Sequence, residues 1–346
     1  MYKIEQSQTS QTTTTQIDLY IQNLIVKNST RIYFIDNLRG VLILLVILGH
    51  CIQNSDIDFD HNIIFRYIYA FHMPLFMYIS GFVSYKTEYK WNQIGRRVLQ
   101  LVIPFIAWAM LGMTLSTDFN WNWLVRPDNG LWFLWVLFWI GVLHISFSKL
   151  ARKINIAEEY IFMTVCIILL GVMTVTKLAF GFHLIAWYLP FYLLGSLFRK
   201  HELRLSPIFD RARLPLVFLY ITGGYFWMRN ESPTFIHTNS QLIIFGYKFI
   251  MGIIGCLCFM SIFRLWNGRG VIISEIGGGM TLGLYAIHQT VIKYTLDSSK
   301  RLGWGIENLP LWVQILVLFI VTCIFTFLVY FILNKTSITR KLFLGK

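Results

Sequence analysis

The chain has 346 residues, 56% of them hydrophobic and only 14% charged, with 29 Phe, 17 Tyr and 12 Trp. An average soluble domain carries about 25% charged residues, so this composition excludes an ordinary soluble domain. The net charge of +13 clusters beside apolar runs as a topology signal and calls for no nucleic-acid partner.

The chain opens with "MYKIEQSQTSQTTTTQIDLY", which has no basic stretch leading into an apolar core and so predicts no cleaved signal peptide. Residues 1–30 read as a mobile cytoplasmic tail, because the Gln/Ser/Thr run at 6–16 has little to bury. Apolar runs of about 20 residues, each long enough to cross a bilayer core, then recur from 31 to 335. They predict ten spans near 33–53, 63–85, 98–116, 131–148, 160–176, 182–198, 214–230, 242–263, 275–293 and 311–333. Residues 336–346 form a short basic cytoplasmic tail.

Counting the connections from a cytoplasmic N-terminus, 21 of the 30 lysines and arginines fall on the inner side and seven on the outer. Cytoplasmic connections attract Lys and Arg, which predicts both termini inside. The fold class is therefore all-α, a polytopic transmembrane helical bundle embedded in the lipid bilayer of the cell's inner (cytoplasmic) membrane. Cys51, Cys166, Cys256, Cys258 and Cys323 all lie in or beside apolar spans without metal-site or disulfide spacing, and read as small packing residues.

The first span, "FIDNLRGVLILLVILGHCIQ" at 34–53, carries Asp36, Arg39 and His50. A charged side chain at mid-helix costs about 2.5–3.5 kcal/mol on an insertion scale, so ionisable groups there need partners, water or chemistry. Arg39 and His50 are 11 residues apart, three helical turns plus about 20°, so they share a face with His50 about 16 Å further out. Asp36 joins the same stripe, one turn before Arg39.

The second span reads "YAFHMPLFMYISGF", with His72 about 13 Å in from its outer end and Pro74 expected to bend the helix. In the fourth region, the aromatic run at 121–139 is either an interface belt or a sugar platform. Lys248 is either a pocket cation or a snorkelling side chain. The ninth span, "SEIGGGMTLGLYAIHQTVIKY", offers Ser274 as a cap, Gly277, Gly278 and Gly279 for close approach or unwinding, and His288 about 20 Å from the inner end. Three histidines at similar depth predict one polar chamber in the outer half of the membrane.

These same segments resemble a known family. "RIYFIDNLRGVLILLVILGH" is similar to the first helix of the acyltransferase-3 family of membrane O-acyltransferases, marked by an arginine, ten residues and a histidine, matched here by Arg39 and His50. "FHMPLFMYISGF" resembles the second helix in the form of the fucose 4-O-acetylase-like branch. "MTLGLYAIHQTV" and "LWFLWVLFW" resemble its late Tyr/His helix and its fourth-helix Trp-Phe element. The family often has two arginines three apart before an "IP" in the third helix; this chain has Arg96 and Arg97, with Gln100 where the second would fall.

The resemblance implies transfer of an acyl group, in the commoner case acetyl, from cytoplasmic acyl-CoA to a hydroxyl of a cell-surface glycan or lipid-linked sugar, without a metal. It gives Arg96 and Arg97 to the nucleotide part of the donor, and Arg39, about 16 Å nearer the inside than His50 on the same face, is suited to its phosphates. Such a transfer needs a base and a group to hold the thioester oxygen. With an unperturbed pKa near 6.5, histidine offers a proton-accepting nitrogen at neutral pH. His50 is the expected base, with His72 or His288 orienting it or donating to the oxyanion, and Asp36 fixing Arg39. The rival reading is a transporter of a glycan precursor or organic anion that uses the same histidines for proton coupling.

Overall fold

The computed structural model describes residues 32–116, 130–175, 180–231, 241–266, 268, 271–303 and 305–346. Among these residues the secondary structure is helical, with no strand. The expected tail at 1–30 lies outside them. So do residues 117–129, which hold the first half of the aromatic run.

Each predicted span overlaps a helix, although the one expected over 214–230 ends at Phe226 after 14 residues. They are α1 (Tyr33–Ser55), α2 (Ile63–Ser84), α3 (Asn92–Arg97, continued through Val98–Val102 and Ile103–Ser116), α4 (Trp132–Lys153), α5 (Glu158–Val175) and α6 (Phe182–Lys200). A short α7 (Glu202–Arg211) leads to α8 (Arg213–Phe226), α9 (Gln241–Phe263), α10 (Val271–Glu275, continued through Ile276–Met280 and Thr281–Leu302), α11 (Leu311–Asn334) and a final short α12 (Ser337–Leu344). Six of them, α1, α2, α3, α4, α9 and α11, are long and apolar enough to cross a membrane.

Burial orders the bundle. The apolar window of α1 is 67% buried and that of α2 78%, against 28% for α11, so α1 and α2 are the central pair and α11 turns most of its surface outward. Ile47, Cys51, Ile292 and Leu318 close one side of α1 against α10 and α11. Ile52, Phe65 and Ile315 join the C-terminal end of α1 to α2 and α11. The side chain of Asn62 caps α2 by accepting from the backbone of Ile64 and Phe65. Pro74 sits inside α2 without ending it.

Two wide turns interrupt the regular helices, Val98–Val102 in α3 and Ile276–Met280 in α10. Such π-type turns occur where a helix adjusts to a functional or tightly packed neighbour. The second holds the glycine run. A Cβ built on Gly277 would fall 1.7 Å from the carbonyl oxygen of Asp36, and one on Gly40 2.2 Å from that of Ile273, so α1 and α10 touch backbone to backbone there. Ser274, expected as a cap, instead lies fully buried three residues inside a helix that starts at Val271.

The basic tail at 336–346 is folded. α12 returns onto the bundle with Leu344 buried, the carbonyl of Phe343 accepting from Trp108 Nε1 at 2.9 Å, and Lys346 Nζ donating to Tyr330 Oη at 2.7 Å.

Candidate active site

α1 presents His50 from its last two turns, α2 presents Tyr69 and His72, and α10 presents Tyr285, His288 and Gln289. The rings of His50 and His288 are 5.2 Å apart between centroids. Tyr69 stands edge-on to both remaining partners, 6.1 Å from His50 and 4.5 Å from His72. The three histidines expected at one depth lie in one cluster of rings, with Tyr69 between His50 and His72.

The hydrogen bonds define each ring's state. His72 Nδ1 donates to the carbonyl of Ile68 at 2.8 Å, and His288 Nδ1 to those of Tyr285 and Leu284 at 2.7 and 3.2 Å. Both rings thus carry their proton on Nδ1 and offer Nε2 as an acceptor. In His288 that Nε2 is buried without a hydrogen-bond partner. A buried acceptor left unsatisfied costs about 1–3 kcal/mol, a cost that marks functional or ligand-binding positions.

His50 is held differently. The hydroxyl of Tyr69 donates to Gln53 Oε1 at 3.0 Å, so its oxygen faces His50 Nδ1, 3.3 Å away, as an acceptor. This favours the tautomer with the proton on Nδ1 and the lone pair on Nε2. Gln289 Nε2 lies 3.2 Å from that Nε2 and 3.4 Å from Nδ1. The orienting contacts on His50 come from Tyr69 and Gln289, residues that periodicity did not single out, while His72 and His288 stand as neighbouring rings.

Gln289 is set by a turn. Gly130 has φ +85°, a left-handed conformation suited to glycine, and a Cβ there would fall 2.6 Å from Gln289 Oε1. The helix that follows, α4, lines the wall: Phe133 packs 5.3 Å from Tyr285 and Trp132 stacks at 5.0 Å on Tyr188 of α6. Trp139, two turns on, is 36% exposed, so the aromatic element divides between chamber wall and outer surface.

The other end of α1 is built of charge and backbone. Asp36 is buried, and its carboxylate is within electrostatic reach of the half-buried Arg39. Asn37, fully buried, donates from Nδ2 to the carbonyls of Gly268 and Trp266 at 2.9 and 3.3 Å. Nearby helix ends are tied by ion pairs: Arg199 with Glu202, Glu202 with Arg264 at 3.1 Å, and Asp210 with Arg213 at 3.2 Å.

Arg96 is exposed. Arg97 turns inward, donating from Nη2 to Ser84 Oγ at 3.0 Å and Tyr192 Oη at 3.1 Å, with its guanidinium lying against Gly141 of α4. The structure does not bring Arg39, Arg96 or Arg97 to the histidines. Another buried histidine, His144, stands apart, with Ser196 Oγ 3.2 Å from its Nε2. An apolar cavity of about 430 Å³ between α3, α10, α11 and α12, lined by Trp108, Ile287, Val291, Phe325 and Phe343, touches none of the chamber's histidines. Among the described residues no group of three His, Cys, Asp or Glu converges as a metal site.

Comparison with known proteins follows the same residues. No solved structure matches the chain. It is 32% identical over 183 residues to nodulation protein NolL of Sinorhizobium fredii (strain NBRC 101917 / NGR234), covering 48% of each chain. It is 31% identical over 185 residues to nodulation protein NolL of Mesorhizobium japonicum (strain LMG 29417 / CECT 9101 / MAFF 303099), covering 48% of this chain and 47% of that one. The chain spans about half the length of these curated relatives in the matched regions. A family profile described as "Acyltransferase domain" matches residues 32–331, from the start of α1 to near the end of α11, and the chain belongs to this acyltransferase-3 family.

Proposed function

We propose that the protein is a multi-pass inner-membrane O-acyltransferase that moves an acyl group, acetyl by preference, from cytoplasmic acyl-CoA to a hydroxyl of a cell-surface glycan or lipid-linked sugar. All ten long helices span the bilayer in this reading, with both termini cytoplasmic. The observation that carries it is the His50 ring, oriented with its proton on Nδ1 and its Nε2 lone pair engaged only by the Gln289 amide, which a substrate hydroxyl can displace, beside His72 and His288. His50 Nε2 takes the proton of the acceptor hydroxyl as its oxygen attacks the thioester carbonyl. The new C–O bond forms, the C–S bond breaks, and the CoA sulfur leaves with the proton relayed from His50.

Gln289, whose amide carries two hydrogens, is placed to donate to the oxygen on which charge develops. His288 Nε2, buried and unpartnered, is a second acceptor for a substrate hydroxyl. Arg39, about 16 Å nearer the inner side along α1, meets the anionic part of the donor while the thioester arm extends towards His50. Asp36 fixes Arg39, and Arg96 at the same end of the bundle adds positive charge for the nucleotide. Arg97 serves the nucleotide only if it leaves Ser84 and Tyr192.

Mass spectrometry of the host's surface glycans with and without this protein tests the reading. A mass difference of one acyl group is expected, and identical spectra would overturn it. Single cysteines in the 199–213 and 294–310 connections, probed with an impermeant thiol reagent on intact cells, should label only in the second. Labelling of the first alone would remove the cytoplasmic donor.

A further inference from the structure

The turn after α8 carries an exposed cation, Arg229, against Tyr69 beside the clustered histidines. Its backbone is pinned from several sides. The amides of Arg229 and Asn230 donate to the two carboxylate oxygens of Asp60 at 2.6 and 2.7 Å. Lys248 Nζ donates to the carbonyl of Arg229 at 2.8 Å, and the preceding Trp227 and Met228 are buried. Asp60 is held in turn, its carbonyl accepting from Arg66 Nε at 2.8 Å.

The guanidinium of Arg229 is treated differently from its backbone. It lies 5.3 Å from the ring centroid of Tyr69, the residue that orients His50. Its charge is within electrostatic reach of His50, His72 and Tyr188. Among the described residues no carboxylate lies within ion-pair distance of it. The carboxylate of Asp60 accepts from the two backbone amides and its charge reaches the Lys248 ammonium, while Asp58 and Glu231 both face His61, at 2.7 and 3.9 Å. The ammonium of Lys248, over Trp227 at 5.9 Å, adds a second positive charge beside the same turn.

An exposed guanidinium on a pinned backbone, next to the reacting hydroxyl's expected place and, among the described residues, without a carboxylate at ion-pair distance, fits an anion brought by the substrate. The geometry points to an acceptor that carries an oxyanion, a phosphate or carboxylate, close to the hydroxyl that is acylated, with Arg229 as its ligand and Lys248 as a supporting charge. This deepens the acyltransferase reading by giving the acceptor a chemical class, and rests on that reading.

The test is saturation binding to the purified full chain in detergent at fixed ionic strength. The probes are glucose 1-phosphate, glucuronate and farnesyl pyrophosphate, with glucose as the neutral control. At least one anionic probe should bind the unsubstituted chain at least tenfold more tightly than glucose. A preference for farnesyl pyrophosphate assigns the anion to a lipid carrier, and one for the soluble probes assigns it to the glycan. Arg229→Gln should erase the margin while CoA binding stays unchanged; Arg229→Lys, which keeps charge but loses the planar fork, should keep part of it. Equal binding of glucose and all three anions, or a full margin in both variants, would overturn the proposal. Anion binding in a protein that consumes no acyl-CoA would instead overturn the acyltransferase reading and leave this site standing.

Discussion

The two ends of α1 are built on different principles. Around His50 the contacts are between side chains: rings 5.2 and 6.1 Å apart, and hydrogen bonds of 3.0–3.4 Å linking Gln53, Tyr69, His50 and Gln289. Around Arg39 they are between backbones, with Gly40 and Gly277 leaving no room for a Cβ. A side-chain cage can be tuned atom by atom, and a substrate can enter it by displacing a hydrogen bond. A backbone seam has no such freedom. It fixes where the helix starts, and so fixes the separation between cation and base.

The largest expected effect is at the base. His50→Ala should lower acyl transfer by about 10²–10⁴-fold, read as free-thiol release from acyl-CoA by purified protein supplied with the host's glycan fraction. Its melting temperature in detergent should change little, because the ring is only half-buried. Full activity in a well-folded variant would place the base elsewhere, with His288 next to be tested.

The seam should fail in the opposite manner. Gly277→Ala forces a methyl group against the Asp36 carbonyl, and overpacking of this kind costs about 1–3 kcal/mol. A lower melting temperature and a smaller folded yield are expected. Residual activity per folded molecule should remain far above that of His50→Ala. A variant as stable as the parent would show that α1 and α10 can slide apart, and the fixed separation would lose its basis.

Third in size is the donor cation. Arg39→Ala should weaken CoA binding to purified protein by more than tenfold, about 1.4 kcal/mol, with His50→Ala changing it little. Arg39→Lys should recover only part, since the planar fork that can engage phosphate through two hydrogen bonds is gone. Exchange of the two phenotypes would exchange the roles of the two ends.

The contrast also explains what the sequence disclosed. Helix positions were legible because runs of bilayer length leave little choice of element. The chamber was legible because helical rise and period place His50, His72 and His288 at one depth. The seam was half legible: the glycine run announced close approach, but its partner, the carbonyl of Asp36, has no side-chain signature. Tyr69 had a usable signal, being three residues before His72 and so on the same face of α2. Gln289 had none, because it follows His288 and points about 100° away; it reaches His50 through the placement of α10 beside α1 and the turn at Gly130. Arg229 belongs to a turn whose shape depends on Asp60, far off in sequence. The inner arginines show the remaining limit: Arg96 and Arg97 are adjacent in sequence, yet one is exposed and the other enters the bundle towards Ser84 and Tyr192.

The smallest expected effect is the most specific to the side-chain end. Tyr69→Phe keeps the ring that stacks at 3.8 Å on Phe65 and lies under Arg229, and removes only the oxygen that faces His50 Nδ1. One such hydrogen bond contributes about 1 kcal/mol, so a drop of about fivefold in turnover is expected. The melting temperature and the CoA affinity should stay near those of the parent. Gln53→Ala separates orientation from mere contact. With its own acceptor gone, the Tyr69 hydroxyl is free to donate to Nδ1, which favours the tautomer with the proton on Nε2 and disables the base. That variant, altered at a residue linked to His50 through the Tyr69 hydroxyl, should therefore lose at least as much turnover as Tyr69→Phe, and the double variant Gln53→Ala/Tyr69→Phe should be no worse than Tyr69→Phe alone. Additive losses would mean that Tyr69 and Gln53 act separately, and the tautomer of His50 would have to be set by Gln289.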